Sequence, residues 1–321
     1  MKTDTENKWL VIVNPNAGRR KGEKDWMQIA KLLEDEGFDF EHVMTRERFH
    51  AIEITKEAIE RGYKQIIVVG GDGTLNEVVN GIFQQKKFPT TGITIGMITV
   101  GTGNDWGRMY QVPFDYDKAV KTIRKGRKVI QDAGQVNYQV EGKKESRYFA
   151  NMAGMGYDAL VAQKTNAMKE KGKGGPMAYF YNLLTGLYQY KSTYLEIEVD
   201  GECVFENDIF SMSLGICKYN GGGMMQLPHA VPDDGIFDIT VVEKISKFRV
   251  LRNIKNLYDG SFEHLKEVKM FRGKSVNIVS RPKNSIFLET DGESLGHSPL
   301  HFSILPKSIC LIAGKKYFGE K

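Results

Sequence analysis

"QIIVVGGDGTLNEVVNG", residues 65 to 81, decides how the first half of the chain folds. Its Val- and Ile-rich start reads as a buried strand, and the amphipathic run from about Thr74 to Gln85 reads as a helix. Between them stand Gly70, Gly71 and Gly73, with Asp72 in their midst. Glycine at a strand-to-helix turn reaches positive φ and lets backbone N–H groups approach an anion, and the following helix adds a favourable dipole. The turn therefore has the chemistry of a phosphate site. It is neither GxGxxG nor GxxxxGK[ST], because it lacks the glycine spacing of the first and the lysine of the second. A carboxylate packed against phosphate is repelled unless a cation lies between them, so Asp72 calls for Mg²⁺ or a bond to a nucleotide hydroxyl.

The same strand–turn–helix unit recurs on either side. "WLVIV" (9 to 13) reads as a strand and "WMQIAKLLEDEG" (26 to 37) as a helix; "DFEHVMT" (39 to 45) is a second strand, with a helix through about Arg61. "ITIGMITV" (93 to 100) is a fourth strand ending at another glycine-rich turn. Such alternation is the mark of βαβ units and a largely parallel sheet. Ligands of open parallel sheets lie beyond the carboxyl ends of the strands. There the sequence places "NPNAG" (14 to 18), Thr45, "GGDGT" (70 to 74) and "GTGND" (101 to 105), four turns expected to converge on one edge.

After roughly residue 130 the pattern changes to short alternating strands with glycine and asparagine turns, among them "VNYQV", "YLEIEVDGECVF", "FSMSLGIC", "FDITVVE" and "SIFLETDGE". This predicts an antiparallel sandwich or barrel, interrupted by helices over 176 to 190 and near 246 to 258. At 321 residues, two domains are expected. Hydrophobic residues at 41% and charged residues at 26% are ordinary for a folded protein, which argues against disorder.

The net charge of +5 is modest, but basic residues bunch at Lys121, Arg124, Lys125, Arg127 and Lys128, and again at Lys164, Lys169, Lys171 and Lys173. Such clusters are solvated faces or attract phosphate and anionic membrane surfaces. No helix-turn-helix, zinc-finger or aromatic RNA-binding signature accompanies them, so no nucleic-acid partner is expected. Cys203, Cys217 and Cys310 are widely spaced and free of any CxxC pattern, which fits the reducing cytoplasm. The stretch "MKTDTENK" lacks the apolar core of a signal peptide, and no apolar run approaches the roughly 20 residues of a membrane span. If the protein meets lipid, it does so from the water side. The six histidines show no metal-ligand spacing.

"NPNAG", "GGDGTLNEVVNG" and "GTGNDWGR", in this order and followed by "NGGGM", "PDDG" and "TDGE", resemble the diacylglycerol kinase catalytic family, which includes soluble bacterial lipid kinases and the sphingosine and ceramide kinases. The resemblance covers nearly the whole chain. It implies an α/β plus all-β protein: an N-terminal parallel-sheet nucleotide-binding domain resembling those of NAD kinase and phosphofructokinase, and a C-terminal antiparallel β-sandwich. The expected ATP-binding domain is 1–130 with about 306–321, the last strand returning to it; 131–305 is the expected lipid-substrate domain. The implied activity is ATP- and Mg²⁺-dependent transfer of the γ-phosphate to a lipid hydroxyl. The protein is expected to be cytoplasmic, peripherally associated with an anionic membrane surface; a homodimer is compatible with the sequence.

The family's nucleotide contacts map onto Asn14, Pro15, Asn16, Ala17 and Gly18, onto Thr45, onto Gly71, Asp72, Gly73, Thr74, Leu75, Asn76 and Glu77, and onto Thr102. Asn104 and Asp105 keep the family pattern and are expected to order the site. Transfer to a hydroxyl also needs a proton acceptor. "LETDGES" (288 to 294) offers Asp291 and Glu293; by pattern alone it is an Asp-Gly hairpin turn, but the family's catalytic base falls in this motif. Either carboxylate could take the proton. By the same resemblance a second metal would sit at "PDDG", held by Asp234 and the carbonyls of Val231 and Ile236; Val231 departs from relatives that carry a polar residue there.

The helix "PMAYFYNLLTGLYQYK" (176 to 191) is apolar nearly all round and reads either as core or, beside the basic "KEKGKGG", as a lipid-docking element. Two other functions fit the first half: an NAD kinase-like enzyme with a soluble substrate, and a nucleotide-binding regulator without turnover. "LNEVVNG" and the late "TDGE" favour the lipid kinase over the first, and intact Asp72, Asp291 and Glu293 disfavour the second.

Overall fold

"WLVIV" has no polar face, and all five of its residues are buried. The computed structural model describes residues 7–101, 103–170 and 176–319, the side chains of 169, 170 and 176–180 excepted; Thr102 and most of the basic "KEKGKGG" stretch lie outside the described residues. The chain divides into two compact units, one running to Gln131 and resuming at Lys307, the other Asp132–Pro306.

In the first unit β1 (Trp9–Val13), β2 (Phe40–Met44), β3 (Gln65–Gly70) and β4 (Thr94–Thr99) pair in parallel, with β1 between β2 and β3, and β4 beyond β3. Val13 stands opposite Met44 and Val69, and Gly70 opposite Thr99, so the carboxyl ends are level. Near the C-terminus, Cys310 and Leu311 pair in parallel with Thr94 and Ile95 on the other side of β4. The strands carry the helices α1 (Ala17–Lys24), α2 (Trp26–Asp35), α3 (His50–Arg61), α4 (Asp72–Gln84), α5 (Asp105–Met109) and α6 (Tyr116–Lys125). One core joins Val11, Val69 and Ile98 of the sheet to Ile29, Leu33 and Val120 of α2 and α6. Gly62, at φ 108, ends α3 in the left-handed conformation that glycine adopts without steric cost.

The second unit opens with the hairpin β5 (Lys128–Val140) and β6 (Lys143–Phe149), followed by β7 (Met152–Gly156), α7 (Tyr157–Glu170) and α8 (Pro176–Gln189). Then come β8 (Thr193–Val199), β9 (Glu202–Gly215), β10 (Phe237–Glu243), α9 (Lys247–Asn253), α10 (Asn256–Asp259), β11 (Val268–Gly273), β12 (Ser275–Arg281), β13 (Phe287–Thr290) and β14 (Glu293–Ile312). Neighbours in this unit run antiparallel. Their pairings close a circuit, β9–β7–β13–β14–β12–β8 and back to β9, with β10 and β11 added on β9. Closure is possible because β9 and β14 are long enough to pair with different partners at their two ends. Phe149 stacks on Phe237 at 5.9 Å and meets Phe302 edge-on at 6.2 Å, all three fully buried.

Two features differ from the sequence pattern. Helix α7 was not announced by it, because "YDALVAQKTNAMKE" lacks a clean apolar stripe. And α8 is not buried all round: Leu187 is inside, whereas Tyr181 and Tyr188 face solvent. Among the described residues no helix is long and apolar enough to cross a membrane.

Candidate active site

In the first unit the four strand-end turns are tied to one another by side chains and close backbone contacts. Asn14, just past β1, donates from Nδ2 to Thr74 Oγ1 at 2.9 Å, while its Oδ1 accepts from the N–H of Asn16 at 3.0 Å. One asparagine thus joins "NPNAG" to "GGDGT". The chain around Pro15 and Ala17 is folded onto itself: the Ala17 N–H donates to the Asn14 carbonyl and the Glu23 N–H to the Pro15 carbonyl, both at 3.2 Å. Gly18 has φ 59 and lies so near Val100 that a Cβ would stand 1.9 Å from its carbonyl oxygen. Gly71 and Gly101 meet backbone to backbone, a Cβ on Gly101 falling 2.7 Å from the Gly71 Cα. Thr45 is buried, its N–H donating to the Val13 carbonyl at 2.8 Å. Small residues are therefore required where the turns touch.

Asp72 begins α4, and its carboxylate has partners of its own. Oδ2 accepts from the N–H of Asp105 and Oδ1 from that of Trp106, both at 3.1 Å. The aspartate in the glycine turn thus caps α5, satisfying N–H groups that have no partner within that helix. This is a reason for a carboxylate at position 72 that sequence reasoning missed. Asp72 and Asp105 both place a carboxylate oxygen 3.2 Å from the point where a Gly103 Cβ would lie, so two acidic groups flank one glycine. Asn104, left-handed at φ 54, donates to the Gly101 carbonyl at 2.8 Å; its buried Oδ1 has no hydrogen-bond partner among the described residues.

Three of the residues expected at the nucleotide also have places inside the unit. Glu77 accepts from the N–H groups of Phe49 and Ala51, both at 3.0 Å, and so holds the start of α3. Leu75 and Asn76 are buried in the unit, Asn76 bonding to Asn80 at 3.1 Å. Asn14, Thr45, Gly71, Gly73, Thr74, Asn104 and Asp105 remain at the turns; Thr102 lies outside the described residues.

In the second unit the turn between β13 and β14 is clamped from several sides. Asp291, at φ 49 and buried, accepts from the N–H groups of Ala150, Asn151 and Met152 at 2.9, 3.0 and 3.1 Å. Its carboxylate is a staple between this turn and the start of β7. Asn166 on α7 donates to the Gly292 carbonyl at 3.0 Å, and Glu289 accepts from the Gly292 N–H at 2.8 Å. Glu293, next in line, is half-buried and opens β14.

Glu289 and Asp158 form a pair that sequence reasoning did not single out. Glu289 is buried, and desolvation pushes its carboxyl up to about 8, opposed by the Gly292 N–H and reinforced by the nearby charges of Asp158 and Asp291. Asp158, on α7, accepts from Ser213 and Gln226 at 3.3 Å each; part of the residue reaches solvent, but burial of its carboxyl pushes it up to about 7. Asn220 of "NGGGM" donates to both Gln226 and Glu289, at 3.2 and 3.3 Å. A glutamate inside a short buried strand was the only available signal.

The one side chain expected at the second metal site, Asp234, has partners of its own. Asp234 is ion-paired with the guanidinium of Arg272, and its Oδ1 accepts from the Ile236 N–H at 3.1 Å. Arg272 also reaches Asp238, its cross-strand partner, at 3.4 Å. Val231 is exposed and supplies no side-chain oxygen. Arg272 thus places one positive charge beside both Asp234 and Asp238. Among the described residues no group of three or more His, Cys, Asp or Glu could hold a metal ion.

Residues 8–136 match the family described as the diacylglycerol kinase catalytic domain, and residues 151–313 that described as the YegS C-terminal NAD kinase beta sandwich-like domain. Over 301 residues the chain is 35% identical to a diacylglycerol kinase of Staphylococcus carnosus (strain TM300), covering 93% of this chain and 92% of that one. It superposes with a TM-score of 0.75 and 26% identity on a crystal structure of a Bacillus anthracis str. Sterne protein provisionally named diacylglycerol kinase, covering 97% and 98% of the two chains. An NAD kinase from Archaeoglobus fulgidus solved with ATP shares the fold alone, at a TM-score of 0.52 and 11% identity over 97% of this chain and 96% of that one.

Proposed function

The chain belongs to the diacylglycerol kinase catalytic family and is a lipid kinase, and from that premise we propose that it transfers the γ-phosphate of ATP to the hydroxyl of a diacylglycerol-like lipid at the cytoplasmic membrane surface. The observation that carries this reading is the convergence of Asn14, Gly18, Gly71, Thr74, Gly101 and Asn104 at the carboxyl ends of parallel strands, where glycines let the turns pack closely beside the first turn of α4.

The first unit binds and orients the donor. The dipole and first-turn N–H groups of α4 favour the phosphate chain, and the glycines let it approach the backbone. Asp72 and Asp105 supply hard oxygen ligands that fit Mg²⁺ together with nucleotide phosphates. When bound, that ion neutralises charge on the transferring group. Asn104 offers its buried Oδ1 to a donor from the nucleotide.

The second unit prepares the acceptor. Glu293 is the group we assign as proton acceptor from the lipid hydroxyl. Asp291 is committed to three backbone N–H groups, whereas Glu293 leaves the clamped turn at the head of β14. Asp291 is then a positioning residue that fixes where Glu293 stands. As the proton leaves, the oxygen attacks the γ-phosphorus and the bond to the β-phosphate oxygen breaks, releasing ADP.

The experiment is incubation of the purified protein with γ-labelled ATP, Mg²⁺, a panel of lipids and NAD. Label in an organic-phase lipid phosphate supports the reading, and label confined to an aqueous NAD product overturns it.

A further inference from the structure

Helix α8 faces two environments. Its inner side carries Leu187 and the half-buried Leu183 into a cluster with Tyr157, Val161 and Phe210. Its outer side carries Tyr181, Leu184 and Tyr188, which are 60%, 39% and 82% exposed and spaced to form one stripe. Helix α9 continues the pattern: none of its residues is buried, and Phe248 and Leu251 are 73% and 47% exposed. The two helices are joined at Lys247, which donates to the Tyr188 carbonyl and holds its ammonium 4.9 Å from the Tyr188 ring centroid. Five large side chains standing out from two linked helices are not explained by packing among the described residues.

Beside the stripe lies a hollow of about 430 Å³ with an apolar wall from Leu187, Tyr190, Phe210 and Ile245 and a polar one from Lys191, Ser192, Asp208, Lys244, Ser246 and Lys247. Lys244 stands 3.6 Å from Asp208, and three lysines against one aspartate leave two positive charges. Amines and hydroxyls around a cavity of this size are donors suited to phosphate oxygens.

Resting on the lipid kinase reading, we propose that the outer face of α8 and α9 docks this protein on an anionic phospholipid bilayer. Tyr188, Phe248 and Leu251 enter the interface, and the lysine-lined hollow receives a phosphate headgroup. Aromatic and aliphatic side chains rimmed by lysine match both layers that such an interface presents, acyl boundary and anionic headgroup. A second copy is a poorer occupant, because a two-fold contact through this face brings its lysines towards their own counterparts.

The test compares the parent with the triple variant Y188S/F248S/L251S and with K244Q/K247Q in co-sedimentation with vesicles. One set is pure phosphatidylcholine, and the other contains about one-third phosphatidylglycerol to supply the negative surface. Expected are preference of the parent for anionic vesicles, at least about a tenfold loss in the triple variant, and loss of the salt-sensitive part in the lysine variant. Phosphorylation of a dispersed short-chain diacylglycerol is expected to be unchanged in the triple variant, and its circular dichroism and melting temperature to match the parent. Equal vesicle binding by parent and triple variant overturns the proposal, as does a dimer that the triple variant dissolves without losing vesicle binding. A parent that binds anionic vesicles but phosphorylates no lipid leaves the docking face standing and sinks the kinase reading instead.

Discussion

Three backbone N–H groups converge on the Asp291 carboxylate, and an asparagine side chain has one oxygen to meet them. Charge-assisted bonds of this kind are each worth about 1.5–3 kcal/mol, so Asp291→Asn is expected to lose roughly 2–4 kcal/mol of stability in urea unfolding. Glu293→Gln is expected to keep the parent's unfolding midpoint and lose about 100- to 10,000-fold in turnover, the typical worth of a general base. A stable Asp291→Asn with that loss, beside an active Glu293→Gln, reverses the two roles. Glu289 gives a pH dependence whose sign follows from its burial. Its folded carboxyl titrates near 8 against an ordinary 4.5, so between those values the unfolded chain releases a proton that the folded chain keeps. Stability is then fully present below about 4.5 and falls as pH rises towards 8, by up to about 1.4 kcal/mol per pH unit for one proton. Glu289→Gln is expected to flatten that part of the curve, and an unchanged slope contradicts the assignment.

The strand-end turns were legible because glycine, asparagine and aspartate at such places have few other uses. At position 72 the spacing suggested phosphate chemistry, but not that the carboxylate would cap α5 across 33 residues of chain. Capping is lost in Asp72→Ala, which is expected to cost about 0.5–2 kcal/mol even without nucleotide; a variant as stable as the parent removes capping from the account. Gly101→Ala is expected to weaken ATP binding in calorimetry, since the added methyl meets the Gly71 backbone and Asn104. At "PDDG", just before β10, the family resemblance suggested a metal, and the arginine that pairs with Asp234 was not legible because it lies 38 residues later and arrives through strand register. The melting temperature of the nucleotide-free protein is therefore expected to be unmoved by chelator or millimolar Mg²⁺. Arg272→Met, which leaves Asp234 and Asp238 without their cation, is expected to be stabilised by Mg²⁺, and a parent stabilised as strongly contradicts the substitution of arginine for metal.

For the molecule as a whole, periodicity alone separated a βαβ half from a half of alternating strands, since helical and strand repeats differ enough to be read without contacts. The closed circuit of the second unit was not legible. It depends on which strands β9 and β14 pair with, and pairing partners leave no local trace. Nor were Glu289 and Asp158, whose importance comes from burial that only the fold reveals. The family resemblance carried the choice of reaction, while the first unit's turns and the second unit's clamped carboxylates supply its physical reasons. The central claim, that one polypeptide orients ATP with the first set and deprotonates a lipid hydroxyl with the second, is tested most directly by following labelled γ-phosphate into diacylglycerol. The account predicts label in the lipid with the parent protein, and with Glu293→Gln near-complete loss of transfer at unchanged ATP affinity. Lipid phosphorylation by Glu293→Gln at the parent's rate would contradict it.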